Sequence, residues 1–300
     1  MNPIAMDERG LDDAKLRFYE DNGFLPLSNI AAPEEIDEIR HYLEGILARK
    51  AGAEEGALFD FVGGEALTKS ALTQMLHPSN HEPRLRRTAY RQRLKTLARQ
   101  VLGPGARFSG DHIFFKPAHD GPVTPWHQDE AFRDPNMEYR EVSFWLPLQP
   151  VDEENGCLKF IPASHRLSVL PHRRQIGQHG LECAEGFDPD TAVACPLPVG
   201  GCTLHHGRTL HGAGANDTAV DRYAYVVHFD LPRQAARTKR IFDWQQRKSP
   251  REVQEQQWRN GRGRLVHAYR RLRQLNFLDP YRLLSAWRRY QERSAGRRAL

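Results

Sequence analysis

A chain of 300 residues is long enough to bury a full hydrophobic core as one or two domains. Hydrophobic residues make up 39% and charged residues 27%, ordinary globular usage that excludes wholesale disorder, and with no run of about 18 apolar residues a conventional transmembrane helix is excluded too. The net charge of +5 is unevenly spread: residues 233–300 hold 19 Lys and Arg against 5 Asp and Glu, so the remainder is acidic.

The opening residues, Met1–Glu8, have neither a basic patch nor an apolar stretch, so no secretory leader is expected. Leu11–Asp21 reads as a helix with Leu11, Leu16 and Tyr19 apolar, stopped by Asn22-Gly23. Phe24–Leu27 follows as a short strand. Pro33-Glu34-Glu35 opens a second helix, with Pro at the first helical position and acids in the first turn. It is predicted to run to Ala48 with Ile36, Ile39, Leu43 and Leu47 on one face. Residues 51–80 show no firm period and read as loop with short helical pieces. Arg84–Leu102 reads as one basic amphipathic helix closed by Gly103-Pro104.

From Arg107 to Leu231 the pattern changes to short β-type runs broken by turn residues: Phe108–Phe115, Val142–Leu148, Cys157–Ile161, Gly201–His206 and Arg222–Phe229. Asn155-Gly156 predicts a hairpin between the second and third of these. Many short strands in one block predict a sandwich, barrel or jelly roll rather than alternating β/α units. After Pro232 the pattern is helical again. Ser249-Pro250 caps and opens a helix, and Arg-rich amphipathic segments span residues 263–276 and 281–294. The expected organisation is an N-terminal helical segment, 1–106, packing on a β core, 107–232, with a basic helical extension, 233–300, in a single catalytic domain overall. Cys157, Cys183, Cys195 and Cys202 form no Cys-x-x-Cys and read as thiols in a reducing cytoplasm.

The chemistry-bearing segment is Pro125-Trp126-His127-Gln128-Asp129. In extended chain, residues i and i+2 project to one face, so the His127 imidazole and Asp129 carboxylate can reach one cation. A third ligand from a later strand would complete a two-His-one-carboxylate set, which leaves positions open on iron for cosubstrate and oxygen. His-x-Asp is a weak motif by itself, and His228-Phe229-Asp230 repeats it with less context behind it. His211, beside Gly212, Ala213 and Gly214, is the candidate third ligand, the glycines admitting a ligand close to the backbone. Eleven residues on, Arg222 opens a β run, and its guanidinium can grip a dicarboxylate in a bidentate pair. His205-His206 does not read as a metal pair, because adjacent strand residues face opposite sides.

With Asn155–Leu158 (Asn-Gly-Cys-Leu), Pro162–His165 (Pro-Ala-Ser-His) and the opening Tyr19–Phe24, these motifs make the chain resemble the phytanoyl-CoA dioxygenase family over roughly residues 16–231. The resemblance implies a double-stranded β-helix (a cupin-like jelly roll) and an Fe(II)- and 2-oxoglutarate-dependent oxygenase. It implies His127, Asp129 and His211 as catalytic metal ligands, Arg222 on the far carboxylate of 2-oxoglutarate, and Trp145 beside the cosubstrate. Lys69 and His112 match further cosubstrate contacts across gaps. Ala213 stands where phytanoyl-CoA dioxygenase itself has Ser. Related halogenases replace the Asp129 carboxylate with a small residue, so its presence implies hydroxylation or another oxidation by O2, with succinate and CO2 as co-products.

Two other readings stay open: a β-helix protein without turnover that binds or regulates, and a module acting through the basic extension. The extension's charge has three readings: a solvated face packing on the acidic part, a contact for an anionic or carrier-linked small-molecule substrate, and, least favoured, nucleic-acid binding without a recognisable motif. No membrane partner is expected.

Overall fold

The computed structural model describes residues 1–6, 10–61, 72–174, 179–246 and 248–260. In chain order its strands begin with β1 Ile4–Ala5, β2 Phe24–Ser28, β3 Leu58–Asp60, β4 Thr73–Leu76, β5 Arg107–Lys116, β6 Thr124–His127, β7 Met137–Glu138 and β8 Glu141–Pro147. The rest are β9 Leu158–Phe160, β10 His172–Arg173, β11 Glu182–Cys183, β12 Val193–Cys195, β13 Cys202–His206, β14 His211–Ala213, β15 Arg222–Asp230 and β16 Gln234–Ala235. The helices are α1 Asp13–Asn22, α2 Pro33–Ala48, α3 Ala89–Leu102 and α4 Pro250–Asn260.

Eight strands form one sheet in the order β1-β2-β13-β8-β15-β5-β4-β3, and four form a second, β12-β9-β14-β6. Alternation along β15 shows how they stack. Tyr225, Val227 and Phe229 enter one core with the apolar faces of α2 and α3, while Ala224 and Val226 enter another with Leu158, Phe160 and Ala213 of the four-stranded sheet. The large sheet is therefore covered on both sides, which is why every residue of β8 is buried. This is the double-stranded β-helix that the family resemblance implied.

The helices follow their local signals. Asp12 caps α1 by accepting from Lys15 N, and Gly23, at φ +80°, ends it in the left-handed conformation that glycine adopts without steric cost. In α2, Glu35 accepts from the backbone N–H of Ala32, and the buried face is Ile36, Ile39, Leu43 and Ile46; Ile46 takes the place expected for Leu47. The single helix expected over Arg84–Leu102 is broken. A 3-10 turn covers Pro83–Arg86, and Thr88 caps a fresh start at Ala89 by accepting from Arg91 N.

Two further expectations are corrected. Residues 51–80 contain β3 and β4, which pair with each other and join β5 at the sheet edge. With three and four residues apiece, they are too short to show a period. Asn155-Gly156 does make a turn, with Gly156 at φ +83°, but β8 and β9 lie in different sheets, so no hairpin forms. A local turn signal specifies reversal of the chain and not the strand it pairs with.

Residues Met1–Gln254 form one compact unit and Glu255–Leu300 a second, of which the described part is the end of α4. The segments at 263–276 and 281–294 lie outside the described residues, as does most of the basic extension's charge. No helix among the described residues is long and apolar enough to cross a membrane.

Candidate active site

His127 ends β6 and His211 begins β14, and the two are cross-strand partners with ring centroids 4.2 Å apart. Asp129 follows at the start of a 3-10 turn, Asp129–Phe132, which swings its carboxylate back beneath the rings. Asp129 Oδ1 lies 3.8 Å from His127 Nε2 and 3.9 Å from His211 Nε2. One donor atom from each residue lies within 4.8 Å of the other two; among the described residues no other such metal-capable group of three exists.

The rings are aimed by the backbone. His127 Nδ1–H donates to Pro125 O at 2.8 Å and His211 Nδ1–H to Thr209 O at 2.9 Å, so each Nε2 turns a lone pair toward Asp129. Burial holds both imidazoles below their usual range, His211 well below it, and therefore neutral and able to ligate. Burial alone would raise Asp129, but hydrogen bonding from His205 opposes it and the carboxyl is held well below the usual range. Two neutral imidazoles and one carboxylate on a face with open positions suit Fe(II).

Arg222 opens β15 on the same inner face, only 1% exposed. Its Nε and Nη1 find no partner among the described residues, and burial pulls it down to about 10, still a cation at neutral pH. A buried guanidinium with unspent donors is costly unless an anion meets it, which is the fit a dicarboxylate's far end requires. Its Cζ lies 5.6 Å from the Trp145 ring, which lines the same cavity from β8. Beside it on β5, Lys116 donates from Nζ to Gly214 O at 2.5 Å, and burial with the Arg222 charge pushes it down to about 6.

The cavity is about 450 Å³, and the triad, Arg222, Trp145 and Ala213 all line it. Ala213 carries no hydroxyl, but Thr124, its cross-strand partner, lines the cavity as well. His112 also lines it, from β5, with Nδ1 3.5 Å from Gln74 Nε2 and its ring 4.6 Å from that of His228. Lys69 lies outside the described residues.

Several residues in and around the cavity carry no signal of their own in the sequence motifs. His205 points in and His206 does not, as their alternation requires, and His205 Nε2 lies 3.5 Å from Asp129 Oδ2. Ser143 donates to Asp129 Oδ2 at 3.0 Å and meets His228 Nδ1 at 2.8 Å. Gln128, between the ligands, is fully buried and braces the segment from behind, donating to Arg208 O and accepting from Leu170 N. The stretch after Pro232 also contributes: Gln245, Lys248, Ser249, Arg251 and Glu252 line the cavity. The alternation argument already held the signal for His205, since one of two adjacent strand histidines must face inward.

Comparison with known proteins agrees with this geometry. The family model described as phytanoyl-CoA dioxygenase matches residues 19–224. A Stutzerimonas stutzeri protein named "Probable alpha-ketoglutarate-dependent hypophosphite dioxygenase" is 29% identical, over 71% of this chain and 76% of its own. Phytanoyl-CoA dioxygenase domain-containing protein 1 of Danio rerio is 26% identical, over 73% and 89%. Among solved structures, EvdO2 from Micromonospora carbonacea var. aurantiaca, complexed with 2-oxoglutarate, is 28% identical; it superposes with a TM-score of 0.67 over 78% of this chain and 98% of its own.

Proposed function

The chain belongs to the phytanoyl-CoA dioxygenase family of Fe(II)- and 2-oxoglutarate-dependent oxygenases, and from that premise we propose that it hydroxylates a small anionic organic molecule at the His127–Asp129–His211 face. The observation that carries this reading is Arg222, a buried cation with unspent donors in the cavity that holds the triad.

In this reading His127, Asp129 and His211 would hold the iron, and Arg222 would take the far carboxylate of 2-oxoglutarate beside Trp145. Iron and 2-oxoglutarate, once bound, supply the oxidising chemistry, with succinate and CO2 as co-products. The protein's own part is to orient and to exclude water. Neutral Lys116 keeps a second charge away from Arg222, and Phe59, Phe61, Phe114 and Phe132 give the cavity an apolar wall for the carbon skeleton that is oxidised. Beyond Arg222 and Asp129, the lining carries Arg133 paired with Glu141, Arg174 paired with Glu252, and Lys248 and Arg251 against Asp134, a small cationic surplus that favours a substrate with a carboxylate or phosphate, free or carrier-linked.

The test is anaerobic addition of Fe(II) and then 2-oxoglutarate to the metal-free protein, watching the weak visible charge-transfer band of the chelate. The expected band disappears in His127→Ala and weakens in Arg222→Ala. Full 2-oxoglutarate consumption by His127→Ala would overturn the assignment.

A further inference from the structure

We propose that Ser143 and His228 are positioning residues that, through one directed chain of hydrogen bonds, commit a single oxygen of Asp129 to the metal. The inference rests on the reading that His127, Asp129 and His211 ligate iron.

The two carboxylate oxygens of Asp129 have different surroundings. Oδ1 faces His127 Nε2 and His211 Nε2. Oδ2 accepts from Ser143 Oγ at 3.0 Å and lies 3.5 Å from His205 Nε2. A carboxylate free to rotate can present both oxygens to a cation, and a bidentate carboxylate would take a position that the cosubstrates need. Holding Oδ2 from behind prevents that rotation. The brace comes from sheet register: His205, Ser143 and His228 stand directly opposite one another on β13, β8 and β15. They form a polar row across three adjacent strands on the inner face, with Ser143 at 0% and His228 at 4% exposure.

The chain has only one sense. An ionised carboxylate accepts and cannot donate, so the single Ser143 proton goes to Asp129 Oδ2. Ser143 Oγ is then left to accept, and His228 must donate to it from Nδ1–H. His228 is thereby fixed as the Nδ1–H tautomer, with Nε2 unprotonated and, among the described residues, without a hydrogen-bond partner. Two buried polar groups on the face that carries Trp145 and Val226 carry a desolvation cost that a pair of apolar residues would not. Their placement makes sense if they orient the carboxylate, and partners of this kind are typically worth roughly 10- to 100-fold in metal affinity.

Two measurements on the full chain decide it. In the metal-free protein, long-range nitrogen–proton correlation NMR of the histidine rings should show His228 as Nδ1–H; an Nε2–H tautomer overturns the proposal whatever the variants do. In Co(II) titrations without 2-oxoglutarate, Ser143→Ala and His228→Leu should bind roughly 10- to 100-fold more weakly than the unmodified protein, with altered ligand-field bands. His228→Asn, which can place an N–H near the Nδ1 position, should recover most of the loss. A purely structural role would lower the melting temperature of all three and leave affinity and bands unchanged, and that result overturns the proposal. If Ser143→Ala does not fold, the His228→Leu and His228→Asn pair gives the same decision. An unmodified protein that binds no Co(II), or a His127→Ala variant that binds it equally well, fails the iron reading instead.

Discussion

His127 and His211 face each other across β6 and β14, each ring fixed by the same bond from Nδ1–H to the carbonyl two residues before it. The backbone that forms the strand pair thus also aims the donor atoms, and little has to be reorganised when a metal arrives. A ligand that binds only the folded state stabilises it by mass action, by about 2.7 kcal/mol at 100 times its dissociation constant. For a chain of this size each kcal/mol moves the melting temperature by roughly 2–4 °C. Adding Mn(II) or Co(II) at that excess should raise the melting temperature by roughly 5–10 °C, chelator should reverse the rise, and His211→Ala should abolish it. Calorimetric scans of the three samples check this.

Arg222 should govern the affinity for 2-oxoglutarate more than turnover. Replacing it with Lys keeps a charge but removes the planar fork, and hydrogen bonds to charged groups are worth about 1.5–3 kcal/mol each. The KM for 2-oxoglutarate should therefore rise roughly 10- to 100-fold in Arg222→Lys, with a smaller change in kcat. Steady-state kinetics at saturating iron separate the two, and an unchanged KM would remove Arg222 from the cosubstrate site.

Lys116 makes the stability of the protein depend on pH. Burial and the neighbouring Arg222 charge bring it from 10.5 down to about 6 in the folded state. Between those two values the unfolded chain binds the proton and the folded chain does not, so stability rises with pH across that window. Below about pH 6 both states are protonated and the folded state carries the full cost of a buried ammonium. In Lys116→Met this slope should vanish. Unfolding free energies from urea titrations at pH 6.5 and 8.5 should therefore separate in the unmodified protein by on the order of 1 kcal/mol per pH unit more than in the variant.

Much of the site was legible because its chemistry is local. His127 and Asp129 are two residues apart on extended chain, and His211 with Arg222 follows at a spacing that the family resemblance supports. Ser143 and His228 are not legible as partners of Asp129, and alternation gives only that one of His205 and His206 faces inward, because the contacts depend on β13, β8 and β15 being neighbours, and strand order is a property of the whole fold. His228, half of the rival His-x-Asp pair, reaches Asp129 through Ser143, while Asp230 lies 3.5 Å from Arg233. The strand centres and α2 were read from alternation and capping. β3 and β4 escape because strands of three and four residues, with Asp60, Thr73 and Gln74 buried among the apolar positions, are too short to show a period.

Shortening the chain should show where the catalytic unit needs its C-terminal side. Trp244 Nε1 and Gln245 Nε2 donate to Ala131 O, Gln245 also reaches Arg133 O, and Arg240 pairs with Glu130 at 2.6 Å. All four bonds hold the turn that carries Asp129, and all come from residues after Pro232. A chain ending at residue 232 loses them and leaves carbonyl oxygens of that turn without their donors, at about 1–3 kcal/mol for each that stays buried. It should melt several degrees lower and bind Co(II) roughly tenfold more weakly, because the carboxylate is less well positioned. A chain ending at residue 260 keeps every one of these bonds and should match the full-length protein in Co(II) affinity. Removing residues 233–300 as a block therefore confounds a binding role of the basic extension with damage to the metal site, whereas the cut after residue 260 separates them. Equal Co(II) affinity in the chain ending at 232 would show that the anchoring bonds do not position Asp129.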